Sequence, residues 1–177
     1  LTLMALTHYS GFFESVEKLK SPSPTEDDIA SDHLDNGALS NDDLQRLRVC
    51  RNFWIEAGNV TKNRGPNLPG NQLMMKRLSR VFFGFSPTSV PENSSIGSIN
   101  LSFGHSLFEL YSSTYSDNKM DKLVLPIPGQ EGPIEYDNKY LLFTKTSLGN
   151  FTLTLGSEID RNNWIRSSKK IEGAYTM

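Results

Sequence analysis

Between residues 96 and 155 the chain alternates short β-prone runs with turn signals, and this spacing limits the fold more than any other feature. Residues 96–103, the turn Gly104-His105 and residues 107–111 form a candidate hairpin. Leu101 and Phe103, then Leu107, Glu109 and Tyr111, alternate on one side, with Phe108 and Leu110 on the other. Residues 123–127 make a short strand that ends at Pro128-Gly129. A second hairpin joins 140–145 to 150–155 through Thr146-Ser147-Leu148-Gly149. Five or more short strands with one or two small helices predict a mainly β barrel or open pseudobarrel.

The front half is less regular. Residues 1–9 read as an apolar strand bounded by Ser10-Gly11, 12–20 as one or two helical turns, and 21–25 as a loop. Acids at 26–28 suit a helix N-terminus, and the text to Ala38 is a polar excursion. Ser40-Asn41-Asp42-Asp43 followed by Leu44, Leu47 and Cys50 reads as a capped helix of two or three turns. Residues 52–57 form a strand whose Phe53 is assigned to the core. Trp54 points to the other side, where it either lines a groove or is buried. Residues 63–71 read as an ordered loop. Residues 72–85 read two ways: Leu73, Met74, Leu78, Val81 and Phe82 suit a helix face, while 81–85 suit a strand. At 177 residues, one domain spanning 1–177 is expected, large enough to bury a core. The opening at Leu1, directly on an apolar run, reads as a piece of a longer protein.

Charge is unevenly spread. The formal net charge is −2, yet residues 46–80 carry eight cations (Arg46, Arg48, Arg51, Lys62, Arg64, Lys76, Arg77 and Arg80) against Glu56, a balance of +7. Residues 14–43 carry nine acids against two bases, a balance of −7. Concentrated positive charge in a mildly acidic chain suggests a face for a polyanion. The alternative is a set of cations spread round the surface.

Several chemistries find no signature. The single cysteine, Cys50, excludes an intramolecular disulfide and a multi-thiolate zinc site. His8, His33 and His105 show no metal or triad spacing, and no phosphate-binding, Rossmann or nucleophile-elbow motif occurs. No catalytic residue, metal or cofactor is assigned. No signal peptide or membrane span is evident, so the sequons at Asn59, Asn93, Asn100 and Asn150 carry no weight.

An apolar opening strand, a variable excursion, Asn52-Phe53-Trp54-Ile55, Thr61-Lys62-Asn63-Arg64-Gly65, residues 99–103, residues 107–111 and a polar loop to Lys119 occur in that order. In this order the chain resembles the C-terminal DNA-recognition domain of restriction endonucleases of the BfiI and NgoFVII kind. That domain is similar in fold to the plant B-three DNA-binding pseudobarrel. The resemblance implies a seven-stranded open pseudobarrel with one or two short helices that reads double-stranded DNA sequence-specifically in the major groove through two arms. It places the first arm near His8, Tyr9 and Ser10, with Asn36, Ser40 and Asn41 as further candidates. The second arm is the loop 112–119, with Ser113, Thr114, Tyr115, Ser116, Asp117, Asn118 and Lys119. Lys62, Asn63 and Arg64 match the basic loop; Lys76 and Arg77, with no base-reading counterpart in the family, are candidate phosphate contacts, and Arg51 is a further candidate DNA contact. Arg reads guanine, Asn reads adenine and Asp accepts from cytosine, while hydroxyls and Lys hold phosphates. The family also implies a bacterial cytoplasmic setting and a phospholipase-D-like nuclease domain elsewhere in the full protein. The His-x-Lys mark of that nuclease is missing here, so this fragment resembles the reader rather than the cutter. A protein- or carbohydrate-binding β domain is the main rival, and an enzyme with a diffuse site ranks below both.

The chain is therefore expected to bind duplex DNA without cutting it, with or without magnesium. Incubation of nuclease-free protein with supercoiled plasmid checks this, and nicked or linear product contradicts it.

Overall fold

The computed structural model describes residues 40–62, 69–115, 120–147 and 149–177. The expected strand at 1–9, the helical turns that follow it and the acidic excursion to Ala38 lie outside them. Among the described residues the architecture is mainly β. Nine strands make one sheet, curled into a half-barrel and accompanied by two short helices. The strands are β1 (Asn52–Glu56), β2 (Gln72–Lys76), β3 (Ser95–Phe103), β4 (Ser106–Tyr115) and β5 (Met120–Val124). They continue with β6 (Tyr140–Ser147), β7 (Asn150–Gly156), β8 (Lys169–Ile171) and β9 (Ala174–Thr176). The helices are α1 (Asn41–Val49) and α2 (Glu158–Trp164). The sheet order is β2-β5-β4-β3-β7-β6-β1-β9-β8. All neighbours are antiparallel except β3 and β7, which run parallel with Asn100 opposite Asn150.

Local signals explain most elements. Ser40 caps α1, its Oγ accepting from the Asp43 amide at 3.2 Å, and Leu47 is the residue α1 buries. Both expected hairpins form, β3–β4 around Gly104-His105 and β6–β7 with Lys145 opposite Phe151. The sequence at 157–160 is a capping box: Ser157 and Asp160 each bond the other's backbone amide and start α2. Gly156 lets α2 close down on β7, because a Cβ there would sit 2.3 Å from Trp164 Cη2.

Residues 72–85 follow neither sequence reading over their whole length. Gln72–Lys76 is a strand that buries Leu73 and Met75 and turns Met74 half outward. A 3₁₀ turn, Arg77–Val81, follows, and residues 82–84 continue as turns. Two adjacent phenylalanines explain this. A strand would send Phe82 and Phe83 to opposite faces, whereas the turn buries both, at 0% and 3% exposure. They enter the hollow of the half-barrel and meet Phe53, Phe143 and Phe151 from three neighbouring strands. Phe53 and Phe82 stack at 4.9 Å, and Phe83 meets Phe143 edge-on at 5.2 Å.

One buried ion pair fixes that turn. Arg80 is 2% exposed and Asp121, on β5, is 0% exposed. Arg80 Nε and Nη2 donate to the two Asp121 carboxylate oxygens at 2.7 and 2.6 Å, a bidentate fork. Arg80 also donates to the carbonyls of Arg77 and Thr88, so one guanidinium ties together both flanks of the turn. Burial pushes the Asp121 carboxyl up, while hydrogen bonds and charge from Arg80, with help from Arg77, pull it down.

Trp54 is buried. It stacks on Tyr175 at 3.9 Å, meets Trp164 and Tyr140, and donates its indole N–H to Ser168 Oγ at 2.9 Å. The groove reading of Trp54 fails because the rings of Tyr175, on the neighbouring strand β9, and Trp164, on α2, cover it.

Asp121→Ala leaves a buried guanidinium without its counter-charge and is expected to cost about 3–5 kcal/mol. Replacing both members, Arg80→Met with Asp121→Leu, is expected to recover most of that loss. Urea unfolding of the single and double variants checks both statements.

Candidate nucleic-acid interface

Strand directions sort the candidate residues onto two ends of the sheet. One end carries the start of β1, the end of β2, the end of β4, the start of β5 and the β6–β7 turn. The opposite end carries the end of β1, the start of β2 and the β3–β4 turn. Arg51, Lys76, Ser113, Tyr115 and Lys145 belong to the first end. Lys62 belongs to the second, six residues past Glu56, where the backbone N–H groups of Thr61 and Lys62 point at Asp137 Oδ1 at 2.8 and 3.4 Å. The structure therefore separates Lys62 from the end of β4 that leads into the expected second arm. Its ammonium lies 3.9 Å from the buried Asp137 carboxylate.

The first end holds an open cleft of about 630 Å³. Its walls are the α1–β1 junction from Arg48 to Arg51, the turn from Val81 to Phe85, and the β6–β7 hairpin. Arg48, Arg51 and Lys145 line it, and no acid does among the described residues. Lys145 is held in place: its backbone N–H donates to Arg51 O at 2.8 Å and its Nζ to Arg48 O at 2.9 Å. The same ammonium sits 4.7 Å above the Phe82 ring. The Arg48 carbonyl belongs to the last turn of α1, where a cation is electrostatically favoured. Cys50 also lines the cleft; burial pushes its thiol up against the pull of Lys145 and Arg46, which keeps it neutral.

The cationic segment 46–80 is thus not one face. Arg48 and Arg51 are exposed at the cleft and Lys76 is exposed at the end of β2. Arg77, half-buried, begins the 3₁₀ turn. Arg46 is committed to β9, its Nε donating to Thr176 Oγ1 at 2.7 Å. Arg80 is in the core. Its partner Asp121 lies 41 residues away in sequence, which is why a count of local charge could not separate it from the surface cations.

Five further candidates have these places. Thr114 is 0% exposed; its Oγ1 donates to Pro91 O at 2.8 Å and accepts from the Ser94 amide at 2.9 Å, so it braces the loop before β3 instead of facing outward. Ser40 uses its hydroxyl as the α1 cap, donating to Asp43 Oδ2 as it accepts from the Asp43 amide. Asn41 is the exposed first residue of that helix. Ser113 is half-buried opposite Lys122, and Tyr115, partly exposed, ends β4. His8, Tyr9, Ser10, Asn36, Asn63, Arg64, Ser116, Asp117, Asn118 and Lys119 lie outside the described residues.

Sequence reasoning passed over Lys145 and counted Arg48 only among the cations of segment 46–80. Lys145 sits at the edge of a recognisable hairpin, but only the β1–β6 register, Asn52 opposite Thr144, brings it to Arg51. Away from the cleft, the outer face of β3–β4 is acidic at its centre: Glu109 accepts from Ser98 Oγ at 2.7 Å and from Tyr111 Oη at 3.1 Å, and this contact holds the Tyr111 phenol above its ordinary value. No group of three metal-ligating side chains occurs among the described residues.

No protein-family model matches the chain, and no curated protein or solved structure matches it.

Thr114→Val removes the two hydroxyl bonds to the Ser94 amide and the Pro91 carbonyl, leaving these groups their mutual 3.3 Å contact, and is expected to cost about 1–3 kcal/mol. Denaturant titration measures the loss. A change in DNA affinity without a change in stability would return Thr114 to the binding surface.

Proposed function

We propose that this chain binds double-stranded DNA through the end of the half-barrel that carries the cleft. The observation that carries the reading is the meeting of Arg48, Arg51 and Lys145 around one opening that no described acid lines. A concave site lined by one sign of charge focuses its field and attracts the opposite charge. Lys76, exposed at the same end, extends the positive surface toward the β4–β5 connection. Phosphate contacts of this kind hold register, and base edges supply specificity.

The finer reading follows the resemblance. In it the chain is the target-recognition domain of a restriction endonuclease, reading the major groove, with a nuclease domain elsewhere in the same protein. The curled β half-barrel is consistent with a pseudobarrel reader, and the cationic end is the side from which the β4–β5 connection would reach a groove. Residues 116–119 would then supply the base readers, Asp117 and Asn118 among them.

A second reading has its own observation. Leu107 and Tyr111 stand 69% and 58% exposed on β4, which suits a protein or carbohydrate partner. Such a partner would give little salt dependence.

Affinity for a random-sequence duplex, measured by fluorescence anisotropy over a salt series, separates the two. DNA binding predicts a steep loss with salt, about 0.9 decades per decade of salt for each phosphate neutralised. Arg48→Ala, Arg51→Ala and Lys145→Met are each expected to flatten that slope by about 0.9, while Lys62→Ala leaves it unchanged. A flat salt response in the unaltered chain would reject DNA binding.

A further inference from the structure

We propose that the cleft between α1, the turn at residues 82–85 and the β6–β7 hairpin takes a single nucleotide unstacked from its strand, with the phosphate at Arg48, Arg51 and Lys145 and the base against the side closed by Phe85. The proposal rests on the DNA-binding reading above and adds to it the form of nucleic acid that fits the site.

Shape is the first argument. An intact duplex is convex: its phosphates can meet the cations at the walls of a concave site, but its stacked bases stay outside it. The cleft's volume of about 630 Å³ falls within the range of small-molecule sites, and one nucleotide is a ligand of that scale.

Composition is the second. A site for phosphate alone needs cations and little else, whereas this cleft has cations at its walls and the half-buried Phe85 ring along one side. A nucleotide has the same division, an anionic group joined to a flat ring with apolar faces, and proteins that hold unstacked bases set them against aromatic side chains. Of the four phenylalanines in the lining, Phe82, Phe83 and Phe151 are buried in the core, while Phe85 is half-buried and closes one side. The backbone of β3 backs the Phe85 ring closely: a Cβ on Gly97 would come within 2.8 Å of Phe85 Cε1, so the ring packs directly on that strand.

Preorganisation is the third. Lys145 is fixed by the Arg48 carbonyl and the Phe82 ring, and an ammonium with three protons keeps donors for a phosphate after giving one to a carbonyl. Arg48, in the last turn of α1, and Arg51, in the two-residue link from α1 to β1, flank it, and both are exposed.

The test compares a perfect duplex with the same duplex carrying one bulged 2-aminopurine nucleotide. The bulge has already met much of the cost of unstacking, so the intact chain is expected to bind it about tenfold more tightly, with a change in 2-aminopurine fluorescence on binding. Val49→Trp keeps every cation and fills the mouth of the cleft from a position that is 67% exposed. It is expected to bring the two duplexes to equal affinity, the readout being the ratio between them, and to leave the thermal unfolding midpoint unchanged. Equal affinity of the intact chain for the two duplexes, or a preference that survives in a folded Val49→Trp, overturns the nucleotide site and leaves DNA binding standing. If neither duplex binds, the DNA reading fails and the nucleotide site falls with it.

Discussion

The bidentate contact between Arg80 and Asp121 sets the shape of everything around it. It joins the turn after β2 to β5 across 41 residues of sequence, in a place where neither group meets solvent. A buried ion pair is not by itself a source of stability, because desolvation offsets much of the attraction. Its value here is geometric. The fork fixes where the turn can sit, and the turn carries Phe82 and Phe83 into the hollow of the sheet. With those rings in place, Phe53, Phe143 and Phe151 close round them and the sheet keeps its curl.

The same turn forms one wall of the cationic cleft. The core and the candidate interface therefore share a structural element: Phe82 packs its ring on Phe53 and carries the Lys145 ammonium above it. The opposite wall depends on the β1–β6 register and on the end of α1. Moving any of these three pieces would alter the spacing of Arg48, Arg51 and Lys145.

Much of the fold was legible because its signals are local. The α1 cap lies within four residues, and each hairpin carries its own turn and alternation. Residues 72–85 were not legible, since the choice between helix, strand and turn was made by partners on distant strands. The tail after residue 156 went unread although Ser157 and Asp160 spell a capping box there. The candidate site was legible only in part. The excess of cations was visible, but their distribution was not: Arg80 went to the core, Arg46 to Thr176, and Lys62 to the far end of the sheet. Lys145 joined from a segment of net negative charge, which no count along the chain would have selected.

The central claim is that one end of the half-barrel, and not the other, meets DNA. Amide hydrogen exchange with and without a 20-base-pair duplex tests it most directly. The account predicts added protection at residues 48–52, at 145–150 and at the facing ends of β4 and β5, with residues 57–62 and the Gly104-His105 turn unchanged. Protection confined to residues 57–62 and the β3–β4 turn would place the nucleic acid at the opposite end and contradict the account.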